Sequence, residues 1–176
     1  ALSLVGSEMC IRDSLYIVNN QAAYANKNSS YWASLKYNKT YLRTGPSKDN
    51  KVIWVYKRKG LPLKIIRKKN EWHEVLFPSG QKGWINSSQI SKKRNVIIQN
   101  NKSFSEMALS KQKQITITDK NSKTIAYVQE GVIATFHNCK KDLCKIELKV
   151  RKEKYFFKNS YKLLGYIKKE YLWGVN

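Results

Sequence analysis

The chain has 176 residues and a formal charge of +22, from 34 Lys and Arg against 12 Asp and Glu, with 5 Trp, 11 Tyr and 5 Phe. That many aromatic residues with so few glycines and prolines exclude a disordered composition, and the length suits one ordinary domain or two small ones. The charge makes a polyanion a candidate partner; it equally suits a solvated surface in a composition rich in Lys, Asn, Ile and Tyr, because net charge governs association rather than fold.

Residues 1–14, ALSLVGSEMCIRDS, match nothing downstream and read as translated sequencing-adapter sequence. The following LYIVNNQAAYA reads as the tail of a secretory signal peptide, with Ala23, Tyr24 and Ala25 as the small-x-small pattern before a cleavage site. Residues 1–30 are therefore expected to be disordered, and the protein periplasmic or secreted. A disordered tail on a cytosolic protein is the competing reading. No later stretch approaches about 18 uninterrupted apolar residues, so no transmembrane segment is expected.

In the next stretch, Tyr41-Leu42-Arg43 leads into the turn residues Thr44-Gly45-Pro46-Ser47, and Val52–Tyr56 is β-branched and aromatic, as strands prefer. Leu61, Leu63 and Ile65 alternate with Pro62 and Lys64, as in a half-wet strand. The apolar run from Trp72 to Phe77, the turn Pro78-Ser79-Gly80 and the strand Gly83-Trp84-Ile85 follow. Short strands at this spacing indicate a small barrel over residues 33–98. Residues 99–110 form the expected linker, with at most one helical turn in Lys102–Ser110, and 111–176 the second barrel. Its expected strands are Ile115–Thr118, Thr124–Val128, Val132–His137, Cys144–Val150, Tyr155–Phe157 and Gly165–Ile167, with Lys149–Leu163 as an elongated hairpin.

An internal repeat supports this division. NKVIWVYKRKG (50–60) and NSKTIAYVQEG (121–131) run polar residues into an apolar stretch ending in Gly, offset by 71 positions. The same offset sets Leu143 on Trp72. Gly83-Trp84-Ile85 then returns as Gly165-Tyr166-Ile167 after an insertion of 11 residues.

YLRTGPS, VIWVYKRKGLPLKII, EWHEV and GQKGWI together resemble the bacterial SH3-like domain family, in the tandem form of exported alphaproteobacterial proteins. IAYVQEGVIA, the Cys pair and the closing YLWGV are similar to that family's second repeat. The resemblance covers roughly residues 33–176. It implies an all-β fold of two tandem SH3-like small barrels after a disordered N-terminal segment, and binding without chemistry. Leu143 and Tyr166 stand where such repeats carry Trp.

The ligand-binding candidates are Tyr41, Arg43, Trp54, Tyr56, Trp72 and Trp84, more aromatic area than one small core takes up whole. The competing reading makes Trp72 and Trp84 the core and its lid. The basic runs Lys57-Arg58-Lys59, Arg67-Lys68-Lys69 and Lys92-Lys93-Arg94 are either solvated turns or anion contacts. Cys139 and Cys144 flank a tight turn that brings them within the bridging range of about 4.4–6.8 Å between Cα atoms, so a disulfide is expected. A zinc site with His73 and His137, and a Cys–His nucleophile using His137, are alternatives lacking paired ligand spacing or an orienting third group. Glu71 and Glu74 flank Trp72 on one strand, unlike a carboxylate pair set across a cleft. No enzyme, cofactor or metal is expected.

The chain therefore reads as a non-enzymatic exported module for cell-wall peptidoglycan, a peptide or a protein partner. A nucleic-acid-binding small barrel is one alternative, with nucleic acid the less favoured partner, and a structural or dimerising scaffold is another.

Overall fold

A computed structural model describes residues 30–99, 114–154 and 157–175. The expected disordered segment up to residue 29 and most of the expected linker lie outside the described residues, as do Tyr155 and Phe156. The first seven strands are β1 (Tyr31–Leu35), β2 (Thr40–Arg43), β3 (Val52–Tyr56), β4 (Pro62–Lys69), β5 (Trp72–Leu76), β6 (Lys82–Asn86) and β7 (Ile90–Ser91). The next seven are β8 (Asn95–Ile98), β9 (Ile115–Thr118), β10 (Thr124–Val128), β11 (Ile133–Lys140), β12 (Leu143–Lys154), β13 (Phe157–Lys168) and β14 (Leu172–Trp173). One 3₁₀ turn precedes the last strand of each set, Ser87–Gln89 and Lys169–Tyr171.

The first sheet runs β3-β2-β6-β5-β4-β1-β7 and the second β10-β9-β13-β12-β11-β8-β14. Each strand of the second order lies seven places after its counterpart, so one all-β topology is built twice, as two small barrels in tandem. Irregularities recur with it. A bulge interrupts β2–β3 between Leu42 and Arg43, and its counterpart interrupts β9–β10 between Thr124 and Ala126. Another interrupts β4–β5 between Ile65 and Arg67, and again β11–β12 between Phe136 and Asn138.

The repeated Gly-aromatic-Ile follows from a close approach of two strands within each sheet. β6 comes against β2, where a Cβ on Gly83 would stand 2.7 Å from Leu42 Cγ and 2.8 Å from the Arg43 carbonyl oxygen. On β13, a Cβ on Gly165 would run into Ile117 of β9. Only glycine permits that approach. The residue two places on, Ile85 or Ile167, then turns inward and is fully buried. Leu35, Leu42, Leu63, Ile65, Val75 and Phe77 complete the first core, and Val96, Ile98, Ile115, Ile117 and Ile146 the second.

The sheets part earlier than the boundary expected after residue 98. β8 pairs with β11 and β14, so the second sheet begins at Asn95, and residues 99–114 connect β8 to β9 within one barrel. Burial on both faces explains the difference. Val96 and Ile98 enter the second core while Ile97, 8% exposed, enters the first. A strand with no wet face shows no alternation by which to assign it. Trp173 and Ile133 of the second barrel also pack on the first core, and Trp173 meets Trp32 edge-on at 4.8 Å between ring centroids. Asn95 Nδ2 donates to the Gly60 carbonyl at 2.8 Å, and Arg58 donates to that of Gly131.

The elongated hairpin expected in the second half is present. β12 and β13 stay paired from Leu143↔Lys168 out to Lys154↔Phe157. Among the described residues no helix is long and apolar enough to cross a membrane.

Candidate functional site

Directly opposed residues of an antiparallel pair share a face, and this sorts the six candidates. Trp54 stands opposite buried Leu42, and Tyr56 opposite buried Thr40, so both project from the core side of β3. Tyr41 and Arg43 alternate with those buried residues and project from the other side. Trp84 opposes Arg43 and Glu74, and Trp72 opposes Lys69 and Asn86, so these two also belong to the outer face. The six do not line one groove.

The core side of β3 carries a graded aromatic run. Phe77 is buried, Tyr56 stacks on it with centroids 3.8 Å apart, and Trp54 lies 6.5 Å beyond Tyr56. Trp54 is 51% exposed. The Tyr56 hydroxyl donates to Gln81 Oε1 at 2.9 Å and lies 3.5 Å from Ser79 Oγ. Burial raises its pKa above the usual phenol value, the hydrogen bond from Ser79 opposing, so at neutral pH it is an uncharged donor. Exposed Lys51 and Lys57 flank the strand, and exposed Lys82 follows Gln81. Sequence reasoning missed Phe77, Ser79 and Gln81; their signal is the turn after β5, which brings them back beside β3.

The outer face is closed. Arg43, Trp84, Glu74 and Arg67 form one row across β2, β6, β5 and β4. Arg67 pairs with Glu74, and its guanidinium carbon lies 5.2 Å from the Trp84 ring centroid. Trp84 is 7% exposed beneath it. Arg43 donates through Nη1 to the Asn50 carbonyl at 2.7 Å and fastens the loop after β2, while Lys39 covers the Tyr41 ring. Trp72 is half-buried on the β4–β5 hairpin.

The bacterial SH3 domain family matches residues 36–92, from just after β1 to just after β7. These residues are a bacterial SH3 domain. No curated protein matches the chain. The second barrel, outside the match, repeats the strand order of the SH3 domain with other side chains. Leu143 replaces Trp72 and Tyr166 replaces Trp84, while Asn138 and Lys145 replace the Arg67–Glu74 pair. An open cleft of about 680 Å³ lies there, lined among others by Thr118, Asp142, Leu143, Tyr166 and Lys168.

The basic runs divide by residue type. Arg58 joins the SH3 domain to the second barrel. Arg94 lies over Phe136 at 4.5 Å, and Arg67 covers Trp84. The lysines of the same runs are exposed.

Cys139 and Cys144 form a disulfide between directly opposed residues of β11 and β12, with Cα atoms 3.9 Å apart. The bond occupies both sulfurs, which removes them as zinc ligands or nucleophile. Its counterpart in the SH3 domain is Lys68 opposite buried His73. Burial, and then the charge of Lys68, hold the His73 pKa below the ordinary imidazole value. Among the described residues no three His, Cys, Asp or Glu side chains gather as a metal site.

Proposed function

We propose that this protein is an exported binding module whose SH3 domain grips an extended segment of a cell-wall peptide, of peptidoglycan or of a protein partner along Trp54 and Tyr56. The exposure of Trp54 carries this reading. An indole half open to water, backed by Tyr56 stacked on buried Phe77, is a rigid apolar platform with donors and acceptors beside it at Ser79 and Gln81. Bacterial SH3 domains are generally binding modules, and the Cys139–Cys144 bond suits the oxidising periplasm or exterior.

The test is retention on purified peptidoglycan and capture from periplasmic extract, comparing the wild-type chain with Trp54→Ala. Loss of the indole is expected to weaken capture roughly tenfold or more, the usual scale for a central aromatic contact. Capture unchanged by Trp54→Ala refutes the reading. Capture that instead falls steeply with salt and follows added nucleic acid favours phosphate binding.

A further inference from the structure

The edge of the SH3 domain's sheet specifies what kind of chain lies beside Trp54. Among the described residues β3 is the last strand of its sheet and is paired only to β2. Open edges are commonly blunted by charge, proline or a bulge. Here the sequence of β3, Val-Ile-Trp-Val-Tyr, carries neither charge nor proline. The bulge sits at Ile53 and leaves Trp54–Tyr56 in regular pairing. Exposed lysines stand immediately outside both ends, Lys51 and Lys57, and no acidic residue occurs from 50 to 70. The acids closest in sequence are committed or remote: Asp49 accepts from Ser47, Glu74 holds Arg67, and Glu71 sits at the far hairpin tip.

We infer that β3 is completed by an extended peptide of a partner protein that adds as a further strand, with apolar residues at its centre and carboxylates at its ends. This rests on Trp54 being the ligand contact. Main-chain hydrogen bonds to the open edge supply affinity, and the side-chain pattern supplies selectivity. A second copy of this chain is a poor occupant. Antiparallel pairing of two β3 strands sets Lys51 of one against Lys57 of the other, and like charges opposed across strands repel. The corresponding edge of the second barrel, β10, provides an internal contrast. Its Tyr127 is exposed, but it is flanked by Lys123 on one side and by Glu130 on the other, so it lacks the paired cations.

The experiment titrates the full chain into a labelled peptide, Glu-Glu-Val-Thr-Val-Thr-Val-Glu-Glu, followed by fluorescence anisotropy. Controls are a Lys-flanked version and two versions N-methylated on alternate residues, which keep the charge but each block one edge of the peptide. The acidic peptide is expected to bind at least roughly tenfold more tightly than the Lys-flanked one, a preference reversed by Lys51→Glu with Lys57→Glu. One N-methylated version is expected to lose binding and the other to keep it. Equal binding of every acidic version overturns the inference, and it means attraction by net charge alone where Trp54→Ala also leaves binding unchanged. If binding needs Trp54 but ignores methylation, strand addition falls while the aromatic contact stands. If it ignores Trp54→Ala, the contact itself falls. A dimer of the chain alone, dissociated by the charge-reversed variant, also overturns it.

Discussion

Two glycines carry more of the fold than their size suggests. Gly83 and Gly165 lie where β2 and β9 come nearest to β6 and β13. Gly83→Ala is expected to lower stability by about 1–3 kcal/mol through overpacking against Leu42. Urea denaturation, with the native circular dichroism retained, measures it. Lys141 shows the opposite imbalance. It takes φ of 51° at the β11–β12 turn, where its counterpart Asn70 takes the same angle in the SH3 domain. Asn tolerates that left-handed conformation better than Lys, so Lys141→Asn is expected to stabilise by about 0.5–1 kcal/mol. An unchanged midpoint would mean the turn is not limiting. His73 gives a pH signature. Its folded pKa lies below the unfolded value, so the unfolded chain takes up the proton first as pH falls. Its contribution is therefore complete above the unfolded pKa of about 6.5 and diminishes below it. Stability compared between pH 7.5 and pH 5 in the wild type and in His73→Leu isolates this part, which should vanish in the variant.

At the scale of elements, the sequence was most legible where one face of a strand is wet. Ile115–Thr118 and Thr124–Val128 occupy the structure with the bounds read from their pattern, and the glycine-aromatic-isoleucine strands lie where the repeat sets them. The cysteine hairpin and the long β12–β13 ribbon were also readable, the first from a short polar turn and the second from the insertion. β8 was not, because both its faces are dry and its partners lie far along the chain. The binding candidates were legible as residue types but not as a site. Whether Trp54 and Tyr41 share a face depends on strand register, and a shift of one residue exchanges the faces. The bulge at Ile53 is such a local shift. The disulfide belongs to this scale as well. Closing so short a loop restricts the unfolded chain modestly, so its reduction is expected to cost the second barrel about 2 kcal/mol. Thermal melts with and without reductant, and with Cys139→Ser plus Cys144→Ser, test this. No change in either would assign the bond no stabilising part.

The whole molecule is two barrels that share a wall. Ile97 is tethered by backbone pairing to the second barrel, yet its side chain completes the core of the first. Ile97→Ala is expected to cost about 2–5 kcal/mol by leaving a cavity, and to lower the melting of both barrels together. Hydrogen exchange resolved by segment distinguishes this from two independent transitions. If only one barrel loses protection, the cores are energetically separate. Such sharing gives β8 the part of a party wall between two houses: what shores up one side is felt on the other. An occupant held at β3 stabilises the native state by mass action. Amides around Val96 and Ile98, in the sheet of the second barrel, should therefore slow their exchange with solvent when the SH3 domain is filled.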